Sequence, residues 1–238
     1  MNSYMIVSIN QPAYIPWLGY FDRICRSDVH IVLDHVQFEK NSMVNRNKLK
    51  TAQGVSLITV PLKTKGKFNE LAINTVEINN SQNWRKKHWH TIKFSYAKSL
   101  YFAEYKNVFA EIYATDWLHL NDLLKITTKI LFELLGIKTK IIYSSEIKSE
   151  GKKGELVLNL CKEAGATEYI SGPFGRDYLN KQSFAKEAIG IKFHDYQHPE
   201  YKQLYSGFEP YMSVIDLIFN HGPRSLEILT SNQSLSDE

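Results

Sequence analysis

A chain of 238 residues, 43% hydrophobic and 13% aromatic, holds enough apolar material to bury a core without a disulfide or a structural metal. Its two cysteines, Cys25 and Cys161, form no ligand pair and suit a reducing compartment. The net charge of +4 is scattered, which disfavours duplex nucleic acid as a partner, and no apolar run nears the roughly 20 residues of a membrane span. The first residues lack the basic stretch of a secretory signal, so a cytoplasmic protein is expected.

Tyr4–Ile9 reads as a buried strand that enters the loop Asn10–Gly19, and Tyr20–Cys25 has helical spacing. A second strand spans Val29–Asp34, so the opening is a βαβ unit with a parallel sheet. Leu57–Leu62 and Ala72–Ile78 look like strands around a flexible loop at Lys63–Asn69. Helices are predicted at Trp84–Tyr96, Phe102–Tyr113 and Leu118–Leu135, the last capped by Gly136. Then come a strand at Lys140–Tyr143, a helix at Glu155–Ala164 and a strand at Glu168–Ser171. A helix at Gln182–Ala188, a strand at Ile191–Tyr196 and helices at Ser213–Phe219 and Arg224–Leu229 follow, before a frayed tail, Ser231–Glu238. The expected fold class is α/β: a Rossmann-like, parallel-containing sheet with helices on both faces. One domain spans 1–238, with a helical insertion at about 83–135.

Four polar and aromatic clusters sit at predicted strand ends, where open α/β sheets bind ligands. The first, Asn10–Tyr20, offers Asn10, Gln11, Tyr14, Trp17 and Tyr20 for binding; Trp17 and Tyr20 serve equally well as core anchors. In the second, Asp34 and His35 suit acid–base work or a metal, although neighbours on an extended chain point apart. Arg46, set between Asn45 and Asn47, suits phosphate or carboxylate, or else forms a surface ion pair in a turn. The third runs from Tyr169 to Leu179, where Ser171, Gly172, Gly175 and Arg176 can present backbone N–H groups and a guanidinium to an anion. The fourth holds His194, His198, Tyr201 and Gln203, followed by Asp216 and Asn220 on one helical face. His198 is the candidate base, and no third ligand is spaced to make a zinc site.

These clusters resemble the WbqC-like family. The resemblance rests on Gln11-Pro12-x-Tyr14-x-Pro16-Trp17-x-Gly19-Tyr20-Phe21, Leu33-Asp34-x-Val36-Gln37-Phe38 and Asn45-Arg46-Asn47-Lys48. It continues through Tyr169–Tyr178, His198-Pro199-x-Tyr201-x-Gln203 and Ser213-x-x-Asp216-x-x-Phe219-Asn220-x-Gly222. Asn10 stands where His or Ser is common, and His35 where Asp is common. The resemblance implies work on O-antigen or related surface polysaccharide. The opening also resembles nucleotidyltransferase-like Rossmann folds, but Trp17-Leu18-Gly19-Tyr20 lacks the paired histidines of their phosphate loop.

The leading expectation is a transferase that moves an acyl or aminoacyl group onto an amino-sugar. His198 or His35 is the base, the donor is an acyl-CoA or carrier-bound acyl group, and the acceptor sugar is nucleotide-linked or lipid-linked. A carrier protein is then a further partner. The alternatives are nucleotidyl transfer or ATP-dependent ligation with nucleotide and Mg²⁺ beside Asp34, and a non-catalytic sugar-binding scaffold.

Overall fold

A computed structural model describes residues 4–66, 71–232 and 235–236. Six strands make the main sheet: β1 (Ile6–Asn10), β2 (Val29–Val32), β5 (Lys140–Tyr143), β6 (Glu168–Ser171), β7 (Gly190–His194) and β8 (Leu235–Ser236). Their order is β5-β2-β1-β6-β7-β8. The first five pair in parallel, and β8 runs antiparallel to β7. The chain therefore winds outward from β1 to β2 and β5 on one side, and from β6 to β7 on the other. This is the Rossmann-like order, with a switch point between β1 and β6.

Helices cover both faces. The helices are α1 (Leu18–Cys25), α2 (Trp84–Tyr96), α3 (Phe102–Ala114), α4 (Leu120–Leu135), α5 (Gly154–Glu163), α6 (Lys181–Lys186), α7 (Val214–His221) and α8 (Ser225–Leu229). Val7, Ile9, Val29, Ile31 and Tyr169 on one sheet face pack with Leu156 and Leu160 of α5 and Phe184 of α6. Phe21 and Ile24 of α1 join the larger cluster built by α2, α3, α4 and α7. The helical segment α2–α4 precedes β5 in the chain, as its periodicity predicts. Gly136 closes α4 in the left-handed region at φ 72°, where a side chain is disfavoured, and Ile137 N–H returns to Phe132 O at 3.0 Å. Among the described residues no helix is long and apolar enough to cross a membrane.

Beyond shifts of one or two residues at element ends, three segments differ from the sequence reading. Arg46–Thr51 is a strand, β3, paired antiparallel with β4 (Gly54–Thr59), which begins three residues before the predicted one and ends ahead of Pro61. Ala72–Ile78 is not a strand but a 3-10 turn flanked by single bridges: Gln37 to Ala72, Leu62 to Ile78, Glu77 to His119. Its apolar pattern exists because Ile73, Val76 and Ile78 all enter the core, Ile73 beside Val36 and the other two beside 118–120. Leu235–Ser236, expected within a frayed tail, pairs with Phe193 and His194. Of the predicted flexible loop, 67–69 lie outside the described residues, as do 233–234 and 237–238 of the tail.

The loop from β1 to α1 is held under strain. Ile15 adopts φ 37°, a backbone that β-branched residues avoid at a cost of about 1–3 kcal/mol. The Asn47 side chain from β3 donates to Tyr14 O at 3.1 Å and Ile15 O at 2.8 Å. Ser213, which caps α7, donates its hydroxyl to Ile15 O at 2.7 Å. The hairpin and α7 therefore jointly fix the loop that enters α1. Replacing Asn47 with Ala leaves the Tyr14 carbonyl without this donor and is expected to cost about 2 kcal/mol, read as a lower urea midpoint with unchanged m-value.

Candidate functional site

The C-terminal ends of β1, β6 and β7 and the start of α1 surround a crevice at the switch point, with a cavity of about 710 Å³. That volume lies within the range of small-molecule sites. Its walls are aromatic, built by Trp17, Phe174, Tyr178, Tyr196 and Tyr211, and its polar groups come from Asn10, Arg23, His194, Asp195 and Gln197.

Asp22 on α1 has no solvent exposure. Its Oδ2 accepts from His194 Nε2 at 2.7 Å and from Arg26 Nε at 2.7 Å, and its Oδ1 accepts from Arg26 Nη2 at 2.9 Å. A carboxylate can only accept here, so Nε2 carries the histidine proton and Nδ1 is the acceptor nitrogen. Burial lowers the His194 pKa, and the hydrogen bond that its Nε2 donates to Asp22 partly restores it. Tyr196 stacks on His194 with ring centroids 5.7 Å apart, and its hydroxyl donates to Leu229 O at 2.9 Å. Gly19 makes room for that ring, since a Cβ there would lie 2.7 Å from Tyr196 Cδ1.

Arg23, the next residue on α1, is 7% exposed. It donates to Asn10 Oδ1 through Nη2 and has no carboxylate partner among the described residues. Its Nε and the Asn10 Nδ2 are both buried without a hydrogen-bond partner. Burial lowers the Arg23 pKa, and its charge in turn pushes down His30 and His194.

Of the residues singled out in the sequence, Asn10, Trp17, Gly172 and Gly175 line this crevice. Ser171 closes β6 beside it, and its hydroxyl fills the space that a Cβ on Gly175 would need. Tyr20 is buried behind Trp17 and meets the His30 ring edge-on at 5.9 Å; Gln11 is half-buried at the start of the loop. Arg176 grips Asp195 with two bonds of 2.9 and 2.8 Å and so holds that carboxyl below its ordinary range. His198 lies behind the wall, ringed by Tyr196, Tyr201, Phe208 and Tyr211, and its Nδ1 donates to Pro199 O at 2.9 Å.

The others sit elsewhere. Asp34 is fully buried at the end of β2, where Ser144 and Ser145 hydroxyls, Ser145 N–H and Asn121 all donate to its carboxylate. His35 bonds the Ser144 hydroxyl at 2.6 Å. Among the described residues no three His, Cys, Asp or Glu side chains gather as a metal site. Arg46 bonds Asn41, Asn45 donates to Val60 O at 2.8 Å, and Tyr14 lies in the core against His88 and Tyr113. Tyr201 and Gln203 donate to Asp216 at 2.8 and 3.0 Å, and Asn220 donates to the Asp216 carbonyl. The four clusters therefore do not share one cavity.

Sequence reasoning does not single out Asp22 and Arg23, and it takes His198 rather than His194 as the candidate base. A signal was present: α1 follows the first strand, and helical side chains lean toward the N-terminus, so positions 22 and 23 point back at the strand ends.

The model of the WbqC-like protein family matches residues 11–228, which takes in every crevice residue from Trp17 to Tyr211. The chain belongs to this family. This WbqC-like protein is also 38% identical over 225 residues to a protein of Mycobacterium tuberculosis named "Uncharacterized protein Rv1507c", covering 94% of this chain and 96% of that one. No solved structure matches the chain.

The buried histidines set an acid limit. Burial, reinforced by Arg23, pushes His30 from 6.5 down to about 3, and burial pushes His88 down to about 4. A neutral buried histidine contributes its full stability above pH 6.5, and the contribution is lost as pH falls toward the folded value, because the unfolded chain takes up the proton first. Asp216, pushed up by burial, acts in the opposite sense as a single group. Urea unfolding is expected to show stability falling by on the order of 4 kcal/mol between pH 7 and pH 4.5, with a shallower slope in His30→Gln.

Proposed function

We propose that this WbqC-like protein is a transferase of bacterial surface-polysaccharide synthesis that moves an acyl or aminoacyl group onto an amino-sugar, with the crevice as its active site. The carrying observation is the Asp22–His194 pair, which leaves Nδ1 as an acceptor on a ring lining an aromatic-walled cavity. The reading takes 1–238 as one domain working in the cytoplasm.

The acceptor amine, as the free base, attacks the carbonyl carbon of an acyl thioester from coenzyme A or a carrier protein. The C–N bond forms and the C–S bond breaks. His194 Nδ1 takes the proton lost by the nitrogen and passes it to the departing thiolate. Asp22 steadies the transient imidazolium and fixes its tautomer. Trp17, Tyr178 and Tyr211 offer faces for a sugar ring or base.

The test incubates the protein with nucleotide-linked amino-sugars and acyl-CoA donors and follows amide product by mass spectrometry. His194→Gln is expected to lower kcat by about 10²–10⁴ with a small change in KM. Amide product that forms only with ATP and Mg²⁺ would turn the assignment to ATP-dependent ligation, and unchanged kcat in His194→Gln would remove the histidine from the reaction.

A further inference from the structure

The crevice carries a positive charge that the protein does not balance. Arg23 is buried, and the nearest carboxylate in sequence, Asp22, is already occupied by Arg26 and His194. The groups whose charges reach Arg23 are Tyr20, Tyr169 and Tyr178, together with His30 and His194, and burial keeps all of these neutral or lowers their capacity for charge. An unpaired buried guanidinium is costly, so the folded chain tolerates it only if something else stabilises it.

The surroundings are built for this side chain. Gly172 has φ −72° and ψ 168°, a backbone that any residue adopts, so its glycine is not required by the turn. The three atoms a Cβ would meet there all belong to the Arg23 guanidinium. A side chain at position 172 would therefore displace the guanidinium. Two donors, Arg23 Nε and Asn10 Nδ2, are left unused at the same place.

The third element is the start of α1. This eight-residue helix begins without a side-chain cap and without an acidic residue in its first turn, and its cap residue Trp17 and its Gly19 both line the crevice. The Tyr20 N–H of this turn bonds Trp17 O at 3.1 Å, so it is Gly19 that sets its backbone on the cavity wall, where the positive end of the helix complements negative charge. A guanidinium, a side-chain amide and a helix start converging on one cavity exceed the needs of a two-oxygen carboxylate and match a phosphoryl group with three or more acceptor oxygens.

The geometry points to Arg23, with Asn10 and the start of α1, as a receptor for the phosphoryl group of a phosphate-bearing substrate, such as the diphosphate of a nucleotide-linked sugar. It deepens the proposed function by assigning a substrate class to the crevice, and it holds whichever group is transferred there.

The experiment measures binding of inorganic pyrophosphate by calorimetry at fixed ionic strength, with citrate as the carboxylate control. Wild-type protein is expected to bind pyrophosphate more tightly than citrate, and Arg23→Met to weaken pyrophosphate at least about tenfold, in line with the loss of charge-assisted hydrogen bonds. His194→Gln is expected to retain pyrophosphate affinity within about threefold, so anion binding is read separately from turnover. If Arg23→Met does not fold, Arg23→Lys decides: it keeps the charge but loses the fork, and an affinity drop of about tenfold supports the receptor. No pyrophosphate binding by wild-type protein, citrate binding more tightly, or affinity unchanged in the Arg23 variant would each overturn the assignment.

Discussion

The arrangement of the crevice depends on where the Asp22 carboxylate is spent. It is buried at the heart of α1, yet its partners are the Arg26 guanidinium one turn along the helix and the imidazole that ends β7, 172 residues away in the chain. One side chain therefore ties the helix after the first strand to the last parallel strand across the switch point. It also sets the histidine tautomer and denies its charge to the neighbouring Arg23. Successive helical residues point about 100° apart, so Asp22 can face β7 while Arg23 faces Asn10. The packing across the switch point and the histidine tautomer come from a single choice of hydrogen-bond partners.

Buried polar residues are abundant elsewhere. Asp34 receives donors from two serines, a backbone N–H and an asparagine, so its charge is fully answered within the protein. Lys50 is nearly as well provided, with Gln203 and the carbonyls of Tyr205, Ser206 and Gly207 around its ammonium, and Gln203 passes the contact on to Asp216. The Lys50 network joins the β3–β4 hairpin, the 201–207 segment and α7, and the Asp34 network joins the end of β2 to α4 and the turn after β5. Those two networks leave only acceptors unpartnered, Asn121 Oδ1 and Asp216 Oδ1, whereas the crevice leaves donors, Arg23 Nε and Asn10 Nδ2. Unpartnered donors beside a buried cation favour an anionic ligand.

The same distinction decides what could be read in the sequence. Strong periodicity and turn residues bound α2, β5 and β6 as found, and Gly136 marks the end of α4. The βαβ opening and the parallel sheet are equally legible, because Tyr4–Ile9 and Val29–Asp34 are apolar runs too short to be helices. The hairpin strand β3 is hidden by its composition: Arg-Asn-Lys-Leu-Lys-Thr looks solvated, yet Asn47, Leu49 and Lys50 are buried. In the site, Asn10, Trp17 and Gly172 are visible as loop residues at strand ends. Asp22 and Arg23 look like the polar face of a short helix, and only tertiary packing against β7 and β6 takes them out of water. His194 and His198 are indistinguishable by spacing. Which one meets a carboxylate is decided by the direction of β7.

The two edges of the sheet are finished differently. Beside β7 lies β8, only two residues long and antiparallel, tied in by Ser236 at 3.0 Å from the Asp195 carboxylate that Arg176 also grips. On the far side β5 opens with an exposed Lys140 next to Lys138. A parallel sheet offers its outermost backbone groups to any extended peptide, and a short antiparallel strip at one end and lysines at the other both discourage that pairing. Such a sheet cannot readily be lengthened by another chain, so self-association through strand addition is disfavoured at both ends by different means.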